Sequence, residues 1–255
     1  MSILKSFFSK EENNQASSEL KEFLTDFSIE VMPRTASKIE SFREILPKNT
    51  RVYVAHIDGV PIEEMVDTAK RISNEGFDVM PHFPARIIKD KKMLEEWIQK
   101  YQDEAGIEQA LLLAGGVSNP HGVFDSSMQL VETELFEKYN FKNLHFAGHP
   151  EGNKDIDHDG TTKNVDEALQ WKQNFSERTD IKLAITTQFC FDADPVINWA
   201  DSLIESGINI PIHIGVAGPA KLQTLIKFSI ACGVGPSLKV LQKRAKDVKK
   251  LLLPF

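Results

Sequence analysis

Residues 183–192 read LAITTQFCFD, an apolar run that ends in polar side chains, and this pattern decides the fold. Residues 27–35, FSIEVMPRT, repeat it with one carboxylate, Glu30, among apolar neighbours. Continuous apolar runs of this length are typical of strands buried on both faces of a parallel sheet. Polar groups near the ends of such strands are costly unless they are paired, which makes Glu30, Thr186, Thr187 and Gln188 candidates for a functional site.

Similar strand-like runs recur along the whole chain and alternate with amphipathic helical stretches. The predicted strands are 28–32, 51–56, 77–82, 109–114, 143–147, 182–187 and 209–214. The predicted helices are 17–25, 62–72, 91–101, 126–139, 165–175, 194–206 and 219–231. A weak eighth strand at 230–233 precedes a last helix at 237–250. Alternating strands and helices predict an α/β fold with a parallel sheet.

The number of these units selects among α/β folds. Seven or eight units in 255 residues favour a (β/α)8 TIM barrel, which typically takes about 250 residues. No GxGxxG motif follows the first strand, which disfavours an open dinucleotide-binding sheet. We therefore predict one barrel domain at 27–255, preceded at 1–26 by an N-terminal tail and a short helix.

Composition narrows the classes of partner. The formal net charge of −7, with no basic stripe, disfavours a nucleic-acid partner. No apolar run is long enough for a membrane span, and the N-terminus is a poor signal peptide. Two cysteines are too few for a disulfide framework. We expect a cytoplasmic protein whose partner is a small molecule. Whether the chain forms a homo-oligomer is left open.

The motifs at the strand ends resemble those of the methylenetetrahydrofolate reductase family, whose members are (β/α)8 barrels. The first strand, IEVMP-RT, is similar to the family's FEFFPPRT and one residue shorter, and ITTQFCFD is similar to its ITQFFFD. The third strand ends in Pro81-His82, where the family has PH. His149-Pro150-Glu151 stands where the family has YPE, and the similarity covers roughly residues 27 to 240.

The resemblance implies an oxidoreductase of one-carbon folate metabolism. The family reduces 5,10-methylenetetrahydrofolate to 5-methyltetrahydrofolate, with hydride passing from NADH or NADPH through FAD to the folate. It implies that Glu30 is the general acid, and burial between Ile29 and Val31 is expected to raise its pKa toward neutral. It also implies that Gln188 and Phe191 bind the tetrahydrofolate-type substrate, because an amide can donate and accept at a pterin edge.

The same resemblance implies a set of residues for FAD. The implied cofactor-binding residues are His82, Gly115, Gly116, His149, Glu167 and Lys172. The chain departs from the family where Ala114-Gly115-Gly116 replaces Arg-Gly-Asp, and where Gln173 and Asn174 follow Lys172 in place of expected basic residues. Charge-assisted bonds to phosphate are the strong ones, so two alternatives stay open: weak binding of FAD, or direct hydride transfer from NAD(P)H.

Other functions remain as alternatives. A folate-barrel methyltransferase binds a pterin without a hydride donor, and a folate-binding protein without catalysis would account for the aspartate missing at Gly116. The segment 155–160 has the D-x-D-x-D-G pattern of a calcium loop, but Pro150 and Gly152 interrupt the helix that should precede it. We therefore interpret the segment as an acidic loop before a helix and predict no metal site.

Overall fold

The framework of the protein is a sheet of seven parallel strands, in a computed structural model that describes residues 18–218 and 220–231. The strands are Ser28–Val31 (β1), Arg51–Val54 (β2), Asp78–Pro84 (β3), Gln109–Leu113 (β4), Asn143–Gly148 (β5), Lys182–Thr187 (β6) and Ile212–His213 (β7). Each strand pairs with the next one along the chain, so the sheet order is β1 to β7 without a switch. This order differs from that of a doubly wound sheet, in which the direction of strand order reverses.

Helices and short helical turns connect the strands. They are residues 18–23 (α1), Pro33–Ala36 (α2), Ile62–Asn74 (α3), Lys91–Ala105 (α4), Ser127–Val131 (α5), Leu135–Lys138 (α6), Lys163–Ser176 (α7), Ala193–Glu205 (α8) and Leu222–Ala231 (α9). Phe42–Glu44 and Ala85–Ile87 form 3-10 turns. Within the described ranges, no helix combines the length and the apolar character needed to cross a bilayer.

The two faces of the sheet differ in their packing. Along β2, Val52 and Val54 join the large core between the sheet and the helices, whereas Arg51 and Tyr53 project from the opposite face. Successive residues of a strand point to opposite faces, which explains this division. The core is dominated by fully buried aliphatic and aromatic side chains. The helices therefore cover one face, and the other carries polar groups together with a small buried cluster of Tyr53, Met80 and Leu111.

The sheet curls toward its polar face. The Tyr53 hydroxyl on β2 lies 2.8 Å from His145 Nδ1 on β5 and 3.2 Å from Thr186 Oγ1 on β6. In a flat sheet, strands three positions apart are separated by about 14 Å, too far for these contacts. Among the described residues no pairing joins β7 to β1, so the structure establishes a curled, barrel-like sheet of seven strands.

Two sequence-based expectations about helices need correction. The helix predicted at 126–139 is two short helices, α5 and α6, separated by Glu134 with a left-handed φ of 60°. Thr133 Oγ1 donates to Leu130 O at 2.6 Å, and such local bonds compete with a continuous helix. Ile230 and Ala231 belong to α9 rather than to an eighth strand. The rest of that strand, the helix at 237–250 and the tail at 1–16 lie outside the described residues.

Candidate functional site

The residues singled out in the sequence fall near one edge of the sheet. Glu30 is the penultimate residue of β1, and His82 lies in the second half of β3. His149 directly follows β5, and Gln188 directly follows β6. All seven strands are parallel, so their carboxyl ends share this edge, where barrel enzymes carry their active sites. We call this edge the mouth of the sheet.

Glu30 and His82 form a pair at the mouth. Glu30 Oε2 lies 3.3 Å from His82 Nε2, and the Glu30 side chain is 58% exposed while that of His82 is 10% exposed. The contact is too poorly aligned for a hydrogen bond, and His82 Nε2 is buried with no such partner among the described residues. The Tyr53 ring meets the His82 ring edge-on, with centroids 6.4 Å apart. The imidazole is thus fixed within the sheet, and the carboxylate reaches solvent.

The electrostatics of Glu30 differ from the expectation. Partial burial raises the pKa of its carboxyl, but polar contact with the His82 ring and the positive charge of that ring lower it by more, so the net pKa lies below its usual value. The expected rise toward neutral is wrong for this arrangement. The neighbours Ile29 and Val31 belong to the core on the other face, so they do not surround the carboxylate.

The concave face carries a polar group of side chains that we call the inner-face cluster: Arg51, Tyr53, Asp78, His145 and Thr186. Arg51 Nη2 lies 3.1 Å from Asp78 Oδ2, and Arg51 Nη1 lies 3.4 Å from His145 Nε2. His145 Nδ1 lies 3.1 Å from Thr186 Oγ1 and closer still to the Tyr53 hydroxyl. A guanidinium only donates, so His145 Nε2 accepts and Nδ1 carries the ring proton. The cluster joins strands β2, β3, β5 and β6.

Burial keeps the inner-face cluster in one protonation state. It lowers the pKa of His145 to about 3, with smaller contributions from the positive charges of Arg51 and His213. It also lowers the pKa of His213, whose ring centroid is 4.8 Å from that of His145, and Arg51 adds to this effect. Burial raises the pKa of Tyr53 above its ordinary value. At neutral pH both imidazoles and the phenol are therefore uncharged.

Sequence reasoning missed most of this cluster. Arg51 and Tyr53 were not singled out, although their alternation with Val52 and Val54 places both on one face of β2. That alternation is the signal that was available. It identifies the face but not the partners, because His145 and Thr186 lie on strands distant in sequence.

The predicted substrate residues share a short segment after β6. The backbone N–H of Gln188 donates to Gly148 O at 3.0 Å, which holds this segment beside the end of β5. Thr187 Oγ1 accepts from the backbone N–H of Gly215 at 2.8 Å, which ties the segment to the loop after β7. The Phe191 ring packs edge-on against Phe189, with centroids 5.7 Å apart. Gln188 and Phe191 are therefore held together at the mouth.

Gly115 is required by its conformation and its surroundings. Its φ is +99°, and a Cβ built on it would lie 3.1 Å from Pro84 Cβ at the end of β3. A Cβ on Gly116 would meet nothing within 4 Å. The turn after β4 thus packs tightly against β3 at Gly115 and has open space at Gly116.

Lys172 and His149 lie near each other behind β5. The Lys172 ammonium donates to Ala147 O at 3.2 Å and stands 5.6 Å from the centroid of the Phe146 ring. Burial lowers the pKa of Lys172 to about 8. Burial, followed by the Lys172 charge, lowers the pKa of His149 to about 4. Lys172 is therefore a buried cation that contacts a carbonyl and an aromatic face.

Two of the residues expected for FAD, Lys172 and Glu167, lie in different surroundings. Lys172 is 6% exposed and turned into the layer between α7 and β5, whereas the Glu167 side chain is 66% exposed and lies 3.9 Å from Lys163. Gln173 stands where the family has positive charge, and its Oε1 accepts from the backbone N–H of Asn209 at 2.9 Å. A diphosphate needs convergent donors or cations at one surface. Lys172 and Glu167 therefore do not form a convergent site for a diphosphate.

No protein-family model matches the sequence. A functional assignment therefore depends on the side chains at the mouth and on the motifs at the strand ends.

The acidic segment 155–160 forms a helix cap. The Asp157 carboxylate is buried and accepts from the backbone N–H groups of Asn164 and Val165, at 2.9 and 3.1 Å, at the start of α7. Asp159 accepts from the backbone and hydroxyl of Thr161. Within the described part of the chain, no three His, Cys, Asp or Glu side chains are grouped to hold a metal ion.

We expect Asp157→Ala to lower the free energy of unfolding by about 1–3 kcal/mol, because the buried N–H of Val165 and the part-buried N–H of Asn164 both lose their acceptor. Urea denaturation measures the change, and Asp155→Ala in the exposed part of the same loop is the matched control. Millimolar Ca²⁺ should leave the thermal midpoint of the wild-type chain unchanged. A midpoint that rises with Ca²⁺ contradicts the assignment of this loop as a cap.

Proposed function

We propose that this chain is an NAD(P)H-dependent reductase of 5,10-methylenetetrahydrofolate, and that Glu30 delivers the proton of the reaction. The observation that carries the proposal is the Glu30–His82 pair: a solvent-facing carboxylate at the mouth, 3.3 Å from a buried imidazole. It stands at the position that the first-strand motif gives to the acid of the similar family. The reverse reaction uses the same groups.

The chemistry needs a proton donor at the mouth. In the substrate one carbon bridges two nitrogens, and protonation of one nitrogen breaks its bond to that carbon and leaves an iminium. Hydride from NAD(P)H then adds to the iminium carbon and gives the methyl product. A positioned acid contributes typically about 10²- to 10⁴-fold to such a step.

Substrate binding is assigned to the segment after β6. The Gln188 amide can donate and accept at once, which the edge of a pterin ring demands. Phe191 and its neighbour Phe189, in the same segment, offer aromatic surface. We further propose that the chain forms a closed (β/α)8 barrel.

Direct hydride transfer is the form of the reaction that the site supports best. The divergent directions of Lys172 and Glu167 argue against a resident FAD. At Gly116, where the family has an aspartate, a Cβ would meet nothing within 4 Å. The nicotinamide dinucleotide then acts as a co-substrate that binds and leaves in each turnover.

A folate-binding protein without catalysis is the second candidate. The lowered pKa of Glu30 favours it, because a carboxyl that is ionised at neutral pH is a poor acid on its own. A folate-barrel methyltransferase is a further alternative, which needs a methyl acceptor and no hydride donor.

One set of measurements on the purified full-length chain separates these functions. We expect a preparation without flavin absorbance that oxidises NADH or NADPH only when 5,10-methylenetetrahydrofolate is present, with 5-methyltetrahydrofolate as product. Calorimetric binding of the folate without NAD(P)H oxidation supports the binding protein. Methyl transfer from 5-methyltetrahydrofolate without NAD(P)H supports the methyltransferase, and absence of folate binding contradicts all three.

A further inference from the structure

We propose that His82 holds the proton that Glu30 delivers, so that the two side chains act as one acid with a single shared proton. This inference rests on the proposed reductase function and adds a positioning residue to it. Glu30 is the group that touches the substrate, and His82 acts through it.

The geometry suits a shared proton. Glu30 Oε2 and His82 Nε2 are 3.3 Å apart, and the ring nitrogen is buried without a hydrogen-bond partner among the described residues. A buried donor without a partner is costly, so a small rotation of the exposed carboxylate into alignment is favourable. The carboxylate has that freedom because more than half of its side chain is exposed.

The other groups around His82 do not compete for this proton. Tyr53 approaches from β2 with its ring edge, and its hydroxyl is already bonded to His145. His56, after β2, stacks on Trp97 with centroids 4.8 Å apart. Burial first, then the charge of His82, lower the pKa of His56 to about 4, while Asp58 raises it slightly. Among the described residues, Glu30 is the one carboxylate paired with His82.

A shared proton reconciles the low pKa of Glu30 with a role as acid. Burial raises the pKa of Glu30 and contact with His82 lowers it by more, yet a pair that shares one proton still has a proton to transfer. Two strongly interacting groups release their protons in steps that belong to the pair. The pair can therefore donate a proton although the pKa of Glu30 itself is lowered.

The step balances in atoms and charge. The proton on His82 Nε2 passes to Glu30 Oε2 and from there to a substrate nitrogen, as the bond between that nitrogen and the bridging carbon breaks. Hydride from NAD(P)H reduces the resulting iminium carbon. Water returns one proton to the pair through the exposed carboxylate, so each turnover consumes one NAD(P)H and one proton.

The test is His82→Gln, which keeps a side-chain donor but cannot titrate. We expect reductase turnover at pH 8 to fall at least tenfold and to recover as the pH is lowered toward the ordinary pKa of a glutamate, so the basic limb of the pH profile moves to lower pH. The carbon NMR signal of the Glu30 carboxyl should titrate at higher pH than in the wild type, because the neighbouring positive charge is gone.

His158→Gln, in an exposed loop position, is the matched control and should change neither the profile nor the Glu30 signal. His82→Asn is a second variant in case His82→Gln does not fold. An active His82 variant with the wild-type pH profile and an unchanged Glu30 midpoint overturns the shared proton. If the wild-type chain shows no turnover, the proposed function is wrong. If, in addition, the Glu30 signal titrates with the same midpoint in His82→Gln as in the wild type, the shared proton is wrong as well.

Discussion

Glu30→Gln is expected to lower turnover of 5,10-methylenetetrahydrofolate by about 10²-fold or more, the usual contribution of a general acid. The amide keeps the size and hydrogen-bonding capacity of the side chain but has no proton to give. Folate affinity should stay close to that of the wild type, because in the proposed mechanism the carboxylate acts in the reaction and Gln188 binds the pterin. NAD(P)H oxidation at saturating folate measures turnover, and calorimetry measures affinity.

Glu205→Gln is the matched control, because it makes the same chemical change at an exposed position at the end of α8. It should leave both turnover and affinity at the wild-type level. If Glu30→Gln turns over as fast as this control, Glu30 is not the acid. If it loses folate affinity to the same degree as turnover, its role is binding.

Lys172→Met is expected to stabilise the protein by about 3 kcal/mol at pH 7. Burial lowers the pKa of Lys172 from its ordinary 10.5 to about 8, and each pKa unit corresponds to about 1.4 kcal/mol. Below pH 8 the folded chain must keep a charged ammonium out of water, and methionine of similar length removes that cost. The lost bond to Ala147 O offsets part of the gain. Urea denaturation of the variant and the wild type measures the difference.

The pH dependence of unfolding gives the same prediction a second test. Between pH 8 and pH 10.5 the unfolded chain holds the Lys172 proton and the folded chain has released it, so wild-type stability should rise with pH. The advantage of Lys172→Met should shrink over this range and vanish above it. Lys163→Met, on the exposed side of α7, should show no such convergence. A constant difference between Lys172→Met and the wild type would rule out an uncompensated buried charge.

Much of the fold was predictable because it depends on local patterns. Continuous apolar runs such as the one in β6 need a parallel sheet with both faces covered, and amphipathic stretches such as α3 cover one face. The break between α5 and α6 was not predictable from periodicity, because the apolar spacing continues through Thr133 and Glu134. A side-chain bond to the backbone decides that break.

The position of the site could be predicted from the sequence, but the surroundings and the pKa of the Glu30 carboxyl could not. The polar end of a buried strand placed Glu30 at the mouth. Its apolar neighbours in sequence, Ile29 and Val31, suggested that its carboxylate would be buried away from water. In a strand those neighbours face away, so the carboxylate meets His82 and solvent. The contacts of Tyr53 depend on how far the sheet curls, and no spacing within one strand encodes the curvature.

The inner-face cluster affects how the charge near the mouth depends on pH. Its phenol and its imidazole stay uncharged near neutral pH, and its guanidinium lies 3.1 Å from its carboxylate. The floor beneath the mouth is thus a layer in which Tyr53 and His145 gain no charge when the medium is mildly acidified. A change of activity with pH is therefore attributed to groups outside this cluster, such as the Glu30–His82 pair.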